Sequence, residues 1–380
     1  MSPATPLPAA AAHPGLSLEI QVLRGLAVCM TFIAHFPGVY PQFAAIQDGH
    51  FWTGVDLFLT ISGYVIAKSF FPQMAGAKDR ADQLLLALAF WMRRAYRLLP
   101  ASLFWAFLLL CAAWGFNRSA AFGVPAGVLH EFMAVLLYAK NIAAAYGPSY
   151  SLGLYWSLSL EEQFYFVLPL AMIYLPGLLK PVVFLPLIIL FTLFPDALGK
   201  HHHLFRFESF LFGIWIYHLR QSRYARMFEP TFLASAAARW AFCAFLLFVI
   251  VVGINGLNGF PGGRFYIMVA TGALVLAASY NQGYIPSAGL GGRAMVWLGD
   301  RSYSVYVCHM PALLLVYEAV FRVFGIYGNQ AFWEHAALAV ALSWVVTLLL
   351  SHFSYRVLEQ PWQRRGRAKA QQYLEAQRLA

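Results

Sequence analysis

Long apolar runs separated by short polar stretches set the architecture of this chain. The runs lie at about 17–37, 52–71, 98–116, 157–176, 181–195, 204–219, 236–254, 265–281, 302–323 and 336–356. Most approach the roughly 20 residues a helix needs to cross a bilayer, the fifth and seventh being short. An eleventh stretch, 128–145, is interrupted by His130, Glu131, Lys140 and Asn141. The pattern predicts an all-α, polytopic integral membrane protein with about ten transmembrane helices in one bundle. The bundle is expected over 17–356, between an N-terminal segment 1–16 and a basic tail 357–380.

The charges between the runs orient the bundle. Basic residues cluster at Lys78, Arg80, Arg93, Arg94 and Arg97, at Arg220, Arg223 and Arg226, at Arg293 and Arg301, and in the tail at Arg364, Arg365, Arg367 and Lys369. Cytoplasmic loops collect Lys and Arg. Placing all four clusters there requires ten crossings and two cytoplasmic termini. The stretch 128–145 is then interfacial or re-entrant within an outer loop, 117–156. Residues 1–15 are Ala- and Pro-rich without a basic start, so the first span is expected to remain as a signal anchor.

Composition removes other classes. Hydrophobic residues make up 61% and charged residues 11%, against about 25% charged in soluble domains. The net charge of +10 would suggest nucleic acid in a soluble protein. Here it follows the loops and the tail, so membrane lipid is the expected partner and nucleic acid is not. Cys29, Cys111, Cys243 and Cys308 fall within apolar runs without metal or redox spacing.

Four groups of polar residues interrupt the apolar runs. Arg24 and His35 share the first run; eleven positions apart, they stand roughly 16 Å apart along a helix at a similar angle. Charge at that depth is costly and marks a functional site, and imidazole suits proton transfer near neutral pH. Asp56, in Gly54-Val-Asp56, begins the second run at the level of His35. It either orients His35, as in a hydrolase triad, or caps its helix. Ser62 and Gly63 read as close helix packing. Arg94 and Arg97, three apart beside Arg93, share a helix face; two guanidinium forks there suit a phosphate or pyrophosphate, or are ordinary flanking charge. The block Trp156-Ser157-Leu-Ser-Leu-Glu161-Glu162-Gln-Phe-Tyr165 opens the fourth run. Ser157 could cap that helix, and at least one of the two acids needs a partner, with Arg24 or the Arg94/Arg97 pair as candidates. His309 and Glu318 are intramembrane polar residues in the ninth run, open between packing and site roles. His201-His202-His203 lacks the spread geometry of a metal site, so no metal is expected. Asn117-Arg-Ser119 matches a glycosylation acceptor, without meaning in a bacterial protein.

These segments, taken in order, resemble the membrane acyltransferase-3 family, whose members O-acetylate surface polysaccharides and related glycans. Arg24 and His35 match its first-helix pattern, Gly54 to Tyr64 its second, and Arg94 with Arg97 its Arg-x-x-Arg. Trp156 to Tyr165 matches its Trp-Ser-Leu-Ser block, Ser302 to Pro311 its late Ser-Tyr…His-x-Pro, and Tyr355 to Pro361 its end. Leu59 and Tyr64 stand where Phe is commoner. The resemblance implies transfer of an acyl group, most often acetyl, from cytoplasmic acyl-CoA to a hydroxyl of a glycan or glycolipid at a bacterial inner membrane. No permanently bound cofactor is implied. Arg24 and His35 become the catalytic pair, His35 either as general base on the acceptor hydroxyl or as transient acyl carrier, and Asp56 is the candidate for orienting it. Arg93, Arg94 and Arg97 become contacts for the CoA phosphates. Trp156, Ser157, Glu161, Glu162, Tyr165 and His309 become acceptor contacts or site structure. The competing class is a transporter or flippase for a glycan or lipid intermediate, because intramembrane Arg, His and Glu also mark transport paths. Transporters commonly carry inverted repeats with matching broken helices. No such pairing relates residues 1–190 to 191–380.

Overall fold

The computed structural model describes residues 17–40, 43, 49–179, 181–193, 206–252, 263–324 and 330–379. The segment 1–16 and the run His201–His203 lie outside the described residues. The described residues are helical, with no strand among them. In chain order the helices are α1 (Leu18–Ala34), α2 (Phe36–Val39), α3 (Gly54–Ala75), α4 (Arg80–Gly115), α5 (Pro125–Leu136), α6 (Lys140–Tyr146) and α7 (Tyr155–Tyr174). They continue with α8 (Pro181–Leu193), α9 (Glu208–Gln221), α10 (Ala236–Val251), α11 (Gly263–Ser279), α12 (Gly289–Asp300), α13 (Ser302–Phe324), α14 (Gln330–Ser354) and α15 (Gln360–Leu379).

Five stretches are long and apolar enough to cross a membrane: Leu18–Val39, Phe51–Ala75, Arg80–Gly115, Ser302–Phe324 and Ala337–Arg378. Pro125–Leu136, Ala236–Val251 and Gly263–Ser279 are apolar but shorter. Large apolar side chains stand exposed along α4, α10 and α14: Trp114 is 68% exposed, Phe245 63% and Leu349 65%. Exposed apolar belts on this scale need lipid or a partner against them, and with the long apolar helices they mark a membrane protein.

Local chemistry starts and stops the helices that carry the polar groups. Ser17 caps α1, its hydroxyl accepting from the Ile20 amide at 3.2 Å. Asp79 caps α4 in the same way, accepting from Asp82 N at 2.8 Å. That cap starts α4 well before the apolar run at 98, so Arg93, Arg94 and Arg97 lie inside a 36-residue helix rather than in a loop. The stretch 128–145 is divided between α5 and α6, which break at Tyr138 with a φ of +51°. Its polar residues find partners: Lys140 Nζ lies 2.8 Å from Glu131, and the Asn141 and Gln163 amides pair at 3.1 and 2.9 Å.

Small residues set the tightest crossings. A Cβ on Gly63 of α3 would fall 2.1 Å from the Phe210 carbonyl oxygen of α9, and one on Gly213 of α9 would fall 2.1 Å from that of Thr60. Gly25 of α1 and Gly299 of α12 meet the Met295 and Gln21 carbonyls just as closely, at 2.2 and 2.0 Å. Backbones therefore approach to contact, and α1 is held between α3 and α12 with its polar residues turned inward. After α14 a π-helical turn, Tyr355–Glu359, carries the helix on into α15, which packs along the charged half of α4.

Candidate active site

α1 carries Arg24 at its middle and ends at His35, whose amide closes the helix on the Phe32 and Ile33 carbonyls. Pro37 follows and lacks a backbone donor, which favours a break there. The His35 Nδ1 lies 2.7 Å from the Thr31 carbonyl oxygen and 3.3 Å from Nε2 of His309. His309 Nδ1 lies 2.5 Å from the Tyr306 carbonyl oxygen. A carbonyl only accepts, so each Nδ1 carries the proton and each Nε2 a lone pair. The His35 N–H is then shared between Thr31 and His309. Its own Nε2 has no hydrogen-bond partner among the described residues and can accept a proton.

A cavity of about 100 Å³ collects Arg24, Arg94, Arg97, Ser157, Glu161 and Tyr165, with Tyr306 in its wall. Glu161 accepts from the Ser62 hydroxyl at 2.8 Å and from the Tyr165 hydroxyl. The Arg94 guanidinium lies over the Tyr165 ring at 4.6 Å. Arg24 is within electrostatic reach of Arg97, Glu359 and Glu161. Asp300, at the end of α12, also faces Arg24; burial pushes its carboxyl above the usual range against the pull of Arg24 and Arg301. His35 does not line this cavity. Tyr306 joins the two places: its ring is part of the cavity wall and lies 5.6 Å from that of His309. Its hydroxyl pairs with Ser157 at 2.5 Å and donates to the Leu154 carbonyl at 2.7 Å.

Several expectations meet different neighbours. Asp56 does not touch His35: Arg206 lies 3.0 Å from both of its carboxylate oxygens, and the Ser209 hydroxyl is 3.4 Å away. It is the His309 ring that contacts His35. Asp56 stands in the first turn of α3, where a negative charge is favoured, but makes no side-chain cap bond there; its oxygens go to the buried Arg206. Ser157 does not cap α7, which starts at Tyr155 without a side-chain cap; the hydroxyl turns to Tyr306. Trp156 lies against Arg206, 5.5 Å from the guanidinium to its ring, with Trp52 at 5.0 Å. Glu162 leaves the cavity for an apolar groove beside Trp91 and Phe166, which also holds Arg94 and Tyr165. Arg93 faces an adjoining pocket that shares Arg94 and Arg97. Glu318 is structural, accepting from the Arg118 and Ser119 amides at 2.9 Å each and from Arg322 at 2.7 Å.

Sequence reasoning missed Glu359, Tyr306 and Arg206. Glu359 accepts from the Ser304 hydroxyl at 2.8 Å and balances Arg24 and Arg97. Its signal was the segment Tyr355–Pro361, noted only as a pattern. Among the described residues no group of three His, Cys, Asp or Glu is placed to hold a metal ion.

Comparison with known proteins places this arrangement. The chain is 25% identical over 339 residues to a Bacillus subtilis protein named peptidoglycan O-acetyltransferase YrhL, covering 82% of this chain and 50% of that protein. It is 24% identical over 374 residues to O-acetyltransferase OatA of Staphylococcus aureus, covering 90% of this chain and 57% of that one. The chain thus spans about half the length of these curated relatives. No solved structure matches it. A family model described as an acyltransferase domain matches residues 17–352, from the cap of α1 to the last turn of α14, and the chain belongs to that family, acyltransferase-3.

Proposed function

We propose that the protein is an integral membrane O-acyltransferase that moves an acyl group, preferentially acetyl, from acyl-CoA to a hydroxyl of a glycan or lipid-linked saccharide at the membrane. The observation that carries this reading is the continuity from an arginine-lined cavity, through Tyr306, to a histidine pair with a free Nε2. The names of the relatives support O-acetyl transfer to a cell-wall glycan. The basic clusters and the apolar runs support a bacterial cytoplasmic membrane location with about ten crossings and both termini in the cytoplasm.

In this mechanism Arg94 and Arg97 hold the phosphate end of the donor. The thin pantetheine arm reaches past Glu161 and Arg24 toward Tyr306. His35 Nε2 takes the proton of the acceptor hydroxyl as its oxygen attacks the thioester carbon. Arg24, within reach of Glu161 and Glu359, offsets the charge of these buried carboxylates. The C–S bond breaks, the ester forms, and the proton passes from His35 to the departing thiolate, leaving CoA-SH. Thr31 and His309 hold the imidazole so that Nε2, not Nδ1, faces the reaction.

The test is transfer of labelled acetyl from acetyl-CoA to peptidoglycan fragments by membranes containing the protein, compared with membranes containing His35→Ala. Label in base-labile esters from the first and not the second is expected. Equal label from both would remove His35 from the reaction. Consumption of no acetyl-CoA with any glycan would remove the enzyme reading.

A further inference from the structure

The C-terminal helix lies outside the part of the chain that matches the family, residues 17–352, yet it closes a pocket at the donor end. Arg93, Arg94 and Arg97 of α4, Gln73 of α3, and Gln363 and Arg367 of α15 line one space. Arg94 and Arg97 also line the main cavity, so the two spaces adjoin. Four guanidinium groups face the pocket, and no carboxylate lines it. Among the described residues none of the four makes a side-chain hydrogen bond or ion pair, and the Arg97 Nε is buried without a partner. Glu359 and Glu162 reach Arg97 and Arg94 electrostatically, but the charged neighbours of Arg93 and Arg367 are other arginines, and like charges crowded together raise the energy of the fold unless an anion sits among them.

α15 is docked there rather than lying free on lipid. A Cβ on Gly366 would fall 2.4 Å from that of Tyr96, so only glycine allows this approach of α15 to α4. The Trp362 and Tyr96 rings pair at 5.9 Å, and Lys369 lies 5.4 Å over Tyr96. Farther along, Arg378 bonds Asp82 at 3.2 Å. These contacts fix Arg367, exposed on α15, opposite Arg93 and Arg97.

We infer that Arg367, with Gln363, completes a polyphosphate site whose other half is Arg93, Arg94 and Arg97, so that the tail helix is part of the donor pocket. The ligand class is the 3′-phosphorylated adenosine diphosphate end of CoA. Its pyrophosphate and terminal phosphate carry about four negative charges, matched by four arginines. The inference rests on acyl-CoA being the donor. Anionic lipid headgroups offer the same phosphate chemistry and must be separated from it by experiment.

The full chain in nanodiscs of zwitterionic lipid is titrated with CoA, and its steady-state rates are measured with acetyl-CoA and with acetyl-pantetheine, which lacks every phosphate. Arg367→Ala is expected to weaken CoA binding and raise KM for acetyl-CoA about tenfold or more, while leaving the reaction with acetyl-pantetheine unchanged. Arg367→Lys should retain most of the affinity. Arg364→Ala, an equal charge on the same helix outside the pocket, should match the unaltered protein. Gly366→Leu, which pushes α15 off Tyr96, should copy Arg367→Ala. Unchanged CoA affinity in Arg367→Ala overturns the inference while leaving the acyl-CoA reading intact. An equal loss with acetyl-pantetheine also overturns it, by making Arg367 a structural residue. If phosphatidylglycerol in the nanodisc displaces CoA and Arg367→Ala abolishes that competition without changing CoA affinity in zwitterionic lipid, the site is a headgroup site. A wild-type chain that neither binds CoA nor uses acetyl-CoA ends both readings.

Discussion

The Nε2 of His309 lies 3.3 Å from Nδ1 of His35, across 274 positions of sequence. Because His309 gives its own N–H to the Tyr306 carbonyl, it can only accept from His35. The pair therefore acts in one direction: His309 holds the ring of His35 in one tautomer, with the proton on Nδ1 and the lone pair on Nε2. His309→Ala is expected to lower kcat about 10–100-fold, the range found when a group that orients a metal-bound histidine is lost. His35→Ala should cost about 10²–10⁴-fold, the worth of a general base. His309→Gln, whose amide oxygen can accept the same hydrogen bond, should recover part of the rate. Initial rates at saturating acetyl-CoA decide it, and a His309→Ala enzyme with unaltered kcat would show that Thr31 alone suffices.

The arginines of α4 separate binding from chemistry. Arg94→Ala combined with Arg97→Ala should raise KM for acetyl-CoA by about two to four orders of magnitude, because each charge-assisted contact to phosphate contributes about 1.5–3 kcal/mol. At saturation kcat should stay within a few-fold. A large fall in kcat at unchanged KM would instead tie the pair to Glu161 and Tyr165 as site structure, since Arg94 already lies over the Tyr165 ring.

How much of this was legible depended on how local the signal was. Arg94 and Arg97 share a face because they are three residues apart on a helix, and that spacing is visible in the chain. Close packing at Ser62 and Gly63 was readable from Ser-Gly within an apolar run; the approach of Gly63 to the Phe210 carbonyl bears it out, whereas Ser62 lines the cavity and donates to Glu161. The depth of His35 followed from its place at the end of a run. Partners chosen across the bundle were not readable. Arg206, the partner of Asp56, is 150 positions away and stands with Glu208 at the head of an apolar run, where nothing local names its partner. Glu359 accepts from Ser304, 55 positions away, and its charge reaches Arg24 and Arg97 from a π-helical turn that nothing in the apolar pattern announces. The tail reads as a lipid anchor by composition alone. Its docking depends on one glycine facing one tyrosine.

Asp56 supplies a direct test of the corrected pairing. Asp56→Asn would leave Arg206, buried between Trp52 and Trp156, without its hydrogen-bonded counter-charge and with Glu208 left in electrostatic reach. Removing one partner of a buried pair costs about 3–5 kcal/mol, so detergent-solubilised protein should unfold at a clearly lower temperature. The folded fraction should keep the pH profile of kcat, because Asp56 does not touch His35. A displaced pH profile with undiminished stability would restore Asp56 to the histidine.

The pair Glu131–Lys140 tests whether the broken stretch 128–145 is held by charge. Glu131 and Lys140 meet at 2.8 Å with side chains only 3% and 1% exposed. The same carboxylate accepts from the Tyr150 and Leu152 amides at 2.9 and 3.0 Å, and Lys140 also donates to Ser149 at 3.0 Å. One ion pair thus ties the α5–α6 break to the segment leading into α7, the helix that carries Ser157, Glu161 and Tyr165. Lys140→Met preserves the length of the side chain and removes its charge, leaving the carboxylate buried with only two backbone donors. A loss of about 3–5 kcal/mol is expected, read as a lower unfolding midpoint and faster proteolysis within 137–152. Activity should fall in proportion to the folded fraction, because neither residue lines the cavity. A midpoint shifted by less than about 0.5 kcal/mol, the range of ordinary surface changes, would mean that the two backbone bonds to Glu131 already hold the segment without the lysine.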